Sequence, residues 1–226
     1  MRRGVLAAVV GAGAIVGYQR WVRPWQQHWG ATEEEYDTRL TGDEQVAEPA
    51  TQVTRAIDIQ APPEEVWPWI VQLGADRGGF YSYDWLENLF GLGIHSASEV
   101  VPGWQRLGVG DVVYANRART GGWYVVDLRT GEALVLKVAD LAAARPLDRQ
   151  EQLKWEFGWT FALRPAPSGG TRLLVRERTA FGSPLTRALM APIGIVSFVM
   201  TRRMMIGIKT RAERGTRPAE LSSAGQ

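Results

Sequence analysis

The chain has 226 residues, 45% of them hydrophobic, and a formal charge of only +2. That is enough apolar material for one full core, and too mild a charge to mark a nucleic-acid binder. With no cysteine and two histidines, disulfide scaffolds, thiolate nucleophiles and cysteine–zinc clusters are excluded, and a histidine-rich metal site has little to draw on. The ten tryptophans point to large apolar contact surfaces, either a core with a wide cavity or a membrane interface.

Residues 1–29 open with "MRRGVLAAVVGAGAIVGYQRWVRPW", two arginines followed by an uncharged run from Gly4 to Gln19. As a helix its apolar part, Gly4 to Tyr18, spans about 22 Å against a hydrocarbon core of ~30 Å. Trp21 and Trp25 suit the interface while Arg20 and Arg23 snorkel. The expectation is a single-pass N-terminal membrane anchor; a cleaved signal peptide and a helix packed on the domain are the alternatives. Arg2 and Arg3 face Arg20 and Arg23 across the run, so charge sets no orientation. "VVGAGAIVG" imitates a dinucleotide-binding turn, but Val16 stands where the third glycine belongs and no second strand follows.

Residues 30–51 are acidic, poor in large apolar side chains and aperiodic, as a linker or a strap over the surface would be. "TQVTRAIDIQ" then reads as a strand, and "PPEEVWPWIVQLG" as a helix started by Pro62 and Pro63 with Val66, Trp67, Ile70, Val71 and Leu73 inward. In "RGGFYSYDWLENLFGLGIH", Asp84 and Glu87 have the spacing of a capping box on a short helix ending near Gly91. Beyond residue 100 the period becomes two: "GVGDVVYAN", "GWYVVDL" and "ALVLKV" are strand-like, the last two joined as a hairpin. In "KWEFGWTFALRP", Trp155, Phe157, Trp159, Phe161 and Leu163 share one face. "TRLLVRERTA" is the next strand, with Arg176 and Arg178 on one face and Glu177, Leu173 and Val175 on the other. With the leucine–valine face inward, Glu177 approaches the cavity and the arginines are solvated; with the register reversed, an arginine could neutralise an acidic ligand. Ser183 caps a long helix running to about Ala212, with Leu185, Leu189, Val196, Met200, Met204 and Ile208 on its apolar side and a kink at Pro192 and Gly194. The fold class is α+β, a curved antiparallel sheet wrapped around that helix.

This order, with "IDIQAPPEEVWPWIVQLG", the hairpin series and "RERTAFGSP" before the long helix, resembles the START-like or SRPBCC superfamily. These helix-grip proteins include polyketide cyclases, aromatase-like domains and lipid carriers. The resemblance covers about Thr51 to Glu213, giving a ligand-binding domain at 52–213 and a disordered tail at 214–226. It implies a deep apolar cavity between sheet and C-terminal helix, and no single reaction.

The ligand-lining candidates are Tyr81, Tyr83, Trp85, His95, Trp104, Trp123 and Glu177. His95 and Asp84 are the weak catalytic candidates; no GxSxG elbow and no metal-ligand spacing accompanies them, so neither a metal nor another cofactor is expected. The favoured function is a membrane-tethered binding or carrier protein for a hydrophobic small molecule or lipid. The alternative is a cyclase- or dehydratase-type enzyme using His95, Tyr81 or Asp84 as acid or base on a polyketide-like substrate.

Overall fold

The computed structural model describes residues 13, 16–147 and 155–215. The expected anchor run Gly4–Tyr18 falls largely outside that range, as does the expected tail beyond residue 215, and no hydrophobic N-terminal helix is seen among the described residues. What is described there is a π-helical turn, Tyr18–Val22, running into α1, Arg23–Gln27. Among the described residues no single helix is long and apolar enough to cross a membrane.

Seven strands form one antiparallel sheet: β1 (Thr51–Ile59), β2 (Val112–Tyr114), β3 (Gly122–Arg129), β4 (Ala133–Asp140), β5 (Arg145–Pro146), β6 (Trp155–Pro165) and β7 (Thr171–Phe181). Their order is β1-β7-β6-β4-β3-β2, with β5 added to the end of β4. The β6–β7 ladder is the longest, pairing Trp155 with Phe181 through to Pro165 with Thr171. A bulge between Val125 and Asp127 of β3 shifts the β3–β4 register and bends the sheet there.

The remaining helices are α2 (Glu33–Asp37), α3 (Pro63–Val71), α4 (Asp84–Leu89), α5 (Pro184–Met190) and α6 (Ile193–Gly215). The strand alternation sorts the sheet into two faces. On the inner face Ile59, Leu173, Val175, Phe161, Leu134 and Leu136 pack with Ile70 of α3 and Met204, Met205 and Ile208 of α6 in the main core. On the outer face a smaller cluster, Ala56, Leu174, Ala162 and Leu40, lies beneath the acidic segment.

That segment is held down by arginines on the outer face of β7. Arg176 donates to Thr54 Oγ1, the Asp43 carboxylate (2.7 Å) and the carbonyls of Glu35, Tyr36 and Thr38. Arg178 donates to the carbonyls of Val46 and Ala47, and Arg172 to Glu35 and Asp58. The hydrogen bond from Arg172 holds the Glu35 carboxyl below its ordinary range. The expectation of solvated arginines is therefore corrected: Arg176 is on the outer face, but only 1% exposed. Strand parity places a side chain on a face; it does not say what else covers that face.

The C-terminal helix also departs from expectation. Ser183 caps α5 through its hydroxyl, which accepts from Thr186 N–H, and α5 and α6 are bent by 49° at Pro192. Only the later part of the apolar stripe is buried: Met204 and Ile208 are in the core, whereas Leu185, Leu189 and Val196 are exposed.

Candidate functional site

On β1, Val53, Arg55, Ile57 and Ile59 share the inner face, so one guanidinium interrupts an apolar stripe. On β7, Glu177 interrupts Leu173 and Val175 in the same way. Register places Arg55 opposite Val175 and Val53 opposite Glu177, so the two charges are diagonal neighbours. Arg55 Nη1 donates to Glu177 Oε1 at 2.7 Å, and both side chains are buried. Two hydroxyls one helical turn apart on α6 complete the cluster: Thr201 donates to Oε1 at 2.8 Å and Ser197 to Oε2 at 2.6 Å. Arg55 Nε donates to the Gln26 carbonyl, and its guanidinium lies 5.5 Å from the centroid of the Phe198 ring. This closed charge cluster pins the first turns of α6 and the N-terminal helix to the sheet.

Beside it runs an aromatic row. Trp159 is the cross-strand partner of Glu177. Its ring is 4.8 Å from Phe161, 5.3 Å from Trp123 and 6.3 Å from Phe80. Phe157 and Trp155 extend the row toward the end of β6, where Trp155 pairs with Phe181 just before α5. Phe161 is fully buried, while Phe157, Trp155 and Trp123 are half-buried, so the row becomes more open along its length. Trp159 Nε1 is buried and has no hydrogen-bond partner. A buried indole N–H normally finds an acceptor, so this one is a free donor on an apolar wall.

The segment "RGGFYSYDWLENLFGLGIH" does not converge on one point. Phe80 joins the aromatic row. Tyr81 is buried with φ 55°, its ring edge-on to Trp69 and 4.7 Å from the Arg211 guanidinium. The Tyr81 backbone meets α6 at Gly207, where a Cβ would come within 2.3 Å of the Tyr81 carbonyl oxygen. Burial pushes the phenol upward and Gln72 is the main influence opposing it, while burial pulls Arg211 down. Tyr83 is half-buried beneath Arg203.

Asp84 is not the cap the spacing suggested. Tyr83 is the N-cap of α4, without a side-chain cap bond, and Asp84 is its first helical residue. The Asp84 carboxylate instead accepts from Ser96 N–H (2.8 Å) and Ser96 Oγ (2.6 Å). Two nearby donors captured the carboxylate that would have bonded its own helix end. Glu87, the other half of the expected box, is buried with one carboxylate oxygen unpartnered. Burial, reinforced by the charge of Asp84, raises its carboxyl to about 7.

His95 and Trp85 face solvent, Trp85 to 69%. Trp104 sits in a separate 3₁₀ turn, its carbonyl accepting from Arg77. Of the seven lining candidates, then, Trp123 and Glu177 share the inner face. Phe157 and Trp159, read from the sequence only as one face of a strand, join them there, as do Arg55 on β1, Phe80, and Ser197 and Thr201 from α6, none of these four having been named as a candidate. The interruption of β1's apolar stripe by Arg55 was the available signal. Among the described residues no group of three or more His, Asp or Glu side chains is placed to hold a metal ion. The arrangement offers an apolar aromatic surface with one free donor, next to a charge cluster whose hydrogen bonds are already made.

No protein-family model matches the sequence, and no curated protein matches it. Solved structures that it resembles include a Mesorhizobium loti protein, at 16% identity and TM-score 0.42 over 74% of this chain and 100% of that one. A solution structure from Arthrobacter aurescens stands at 16% identity and 0.42, over 78% and 94%. A Nitrosomonas europaea protein stands at 13% and 0.42, over 73% and 95%.

Proposed function

We propose that the protein binds a hydrophobic small molecule or lipid between the sheet and the C-terminal helix, in the helix-grip manner that its sequence resembles, and does so at a membrane. The observation supporting this reading is the aromatic row of Phe80, Trp123, Phe157 and Trp159, half-open at one end and carrying an unpartnered indole donor. Flat or extended apolar ligands gain from such a wall through buried area and ring contact. A single acceptor oxygen on the ligand would satisfy Trp159 Nε1. The cyclase reading requires His95, Tyr81 and Asp84 within reach of one point. His95 is exposed, Tyr81 lies against α6, and Asp84 is engaged by Ser96, so no observation favours it.

Two measurements test the proposal. Native mass spectrometry of the full chain extracted in mild detergent should report a retained apolar mass. Delipidated protein should take up 1-anilinonaphthalene-8-sulfonate, displaceable by a fatty acid, and Trp123→Ala should weaken uptake about tenfold, equivalent to ~1.4 kcal/mol. Folded, delipidated protein that takes up no probe overturns the reading.

A further inference from the structure

The apolar side of α5 and α6 is buried for only half its length. From Thr201 onward it is core, with Met204, Met205 and Ile208 against sheet and α3. Before Ser197 it is open: Leu185, Leu189, Ile193 and Val196 are exposed, Leu189 to 70%. A water-facing helix surface normally carries charge, not a run of large aliphatics. The N-terminal helix continues this surface, because Trp25 stands edge-on to Phe198 at 5.2 Å while remaining exposed itself, as Trp21 does. Since the rest of α6 is committed to the core, the bent pair is free to rest on a surface and not to cross one.

The charges around this surface indicate what it rests on. From Arg178 to Ala212 the chain has no Asp or Glu, and from Met1 to Thr32 it has none either. Both segments carry arginines, Arg20 and Arg23 on one, Arg187, Arg202 and Arg203 on the other. The result is an apolar centre with a cationic rim and tryptophans between, the pattern of a segment lying in a lipid–water interface with anionic headgroups. A second copy is a poorer occupant. A two-fold contact sets the same patch against itself and brings like-charged rims together.

We infer that the α5–α6 elbow, together with the exposed face of the N-terminal helix, seats on an anionic lipid bilayer. This contact is separate from any anchor further toward the N-terminus. It orients the domain so that the open end of the aromatic row, where β6 begins and β7 passes into α5, faces the lipid. The inference rests on the membrane half of the proposed function and is independent of the ligand half.

The absence of cysteine makes the test direct. Leu189→Cys places an environment-sensitive nitrobenzoxadiazole label on the elbow. Thr130→Cys places one on the β3–β4 turn at the opposite end of the strands, roughly 30 Å away by strand rise. Each full-length labelled protein is reconstituted with vesicles of phosphatidylcholine and phosphatidylglycerol, with and without acyl-chain nitroxide lipid. The elbow label should brighten about twofold or more and be quenched by the nitroxide, while the turn label does neither. If the protein floats with the vesicles but the elbow label is quenched no more than the turn label, the N-terminal segment alone anchors it and the inference falls. The inference also falls if the elbow label is already shielded before vesicles are added, as when the chain's own N-terminus or a second copy covers it. If the protein does not float with the vesicles at all, the membrane half of the proposed function falls too, and probe uptake still reports separately on ligand binding.

Discussion

Replacing Arg55 by methionine leaves the Glu177 carboxylate buried with only the Ser197 and Thr201 hydroxyls as partners. The ion pair is 2.7 Å long and its side chains are 2% and 9% exposed. At an effective dielectric near 20 the attraction at that distance is about 6 kcal/mol, and desolvation of the two ions offsets most of it. Removing one member cancels the attraction while the other still bears its desolvation cost, so a loss of about 3–5 kcal/mol is expected. For a chain of this size that is a fall of about 6–20 °C in Tm. The double change Arg55→Met with Glu177→Leu removes both charges. The two freed hydroxyls can turn to carbonyls of the preceding helical turn, so the double variant should lie within about 1–2 kcal/mol of the parent. Thermal and urea unfolding of the parent, both single variants and the double variant, followed by circular dichroism, gives the coupling directly. Additive losses would refute the reasoning, since they would mean that neither charge compensates the other.

Glu87 predicts a pH dependence. With its carboxyl raised to about 7, the folded protein keeps a proton that the unfolded chain loses from about pH 4.5 upward, so stability falls as pH rises through that window and then levels. Glu87→Gln should flatten the fall and raise Tm at about pH 8, and a parallel Tm–pH curve for the variant would contradict the assignment. Arg176→Lys should release the acidic strap, because a lysine cannot reproduce the forked bonds to Thr54, Asp43 and three carbonyls. Amide exchange across residues 35–46 should accelerate about tenfold or more with the inner strands unchanged, and uniform acceleration would show that the strap is not a separate unit.

How much was legible depends on whether a signal is local. β6 was readable because its aromatic alternation is strict and unbroken from Trp155 to Leu163. The Ser183 cap was readable because its acceptor and donor lie three residues apart. A box of the same spacing misled at Asp84 and Glu87, where Ser96, twelve residues on, captured the carboxylate. The real capping box is at Thr32 and Glu35, inside the segment that looked aperiodic. The alternation of β7 sorted its residues into two faces without saying which points inward, and burial of Arg176 required the strap, a long-range contact that no pattern records. Likewise, the stripe on α5 and α6 said which side is apolar and not where the sheet beneath it ends. Arg55 was visible as an oddity on β1, yet its meaning needed the register with β7.

The strap and the N-terminal helix leave no slack in the chain ahead of the sheet. Gln26 accepts from Arg55, the Trp29 carbonyl accepts from Ala56 N–H, and Gly30, at φ 73°, packs so closely that a Cβ would come within 2.1 Å of the Ala56 carbonyl oxygen. A side chain at residue 30 would push the chain off β1. Residues 26–30 therefore move with the sheet and not apart from it. A load placed on that helix reaches the β1 edge, and the Arg55–Glu177 pair behind it, without any flexible stretch between to absorb it.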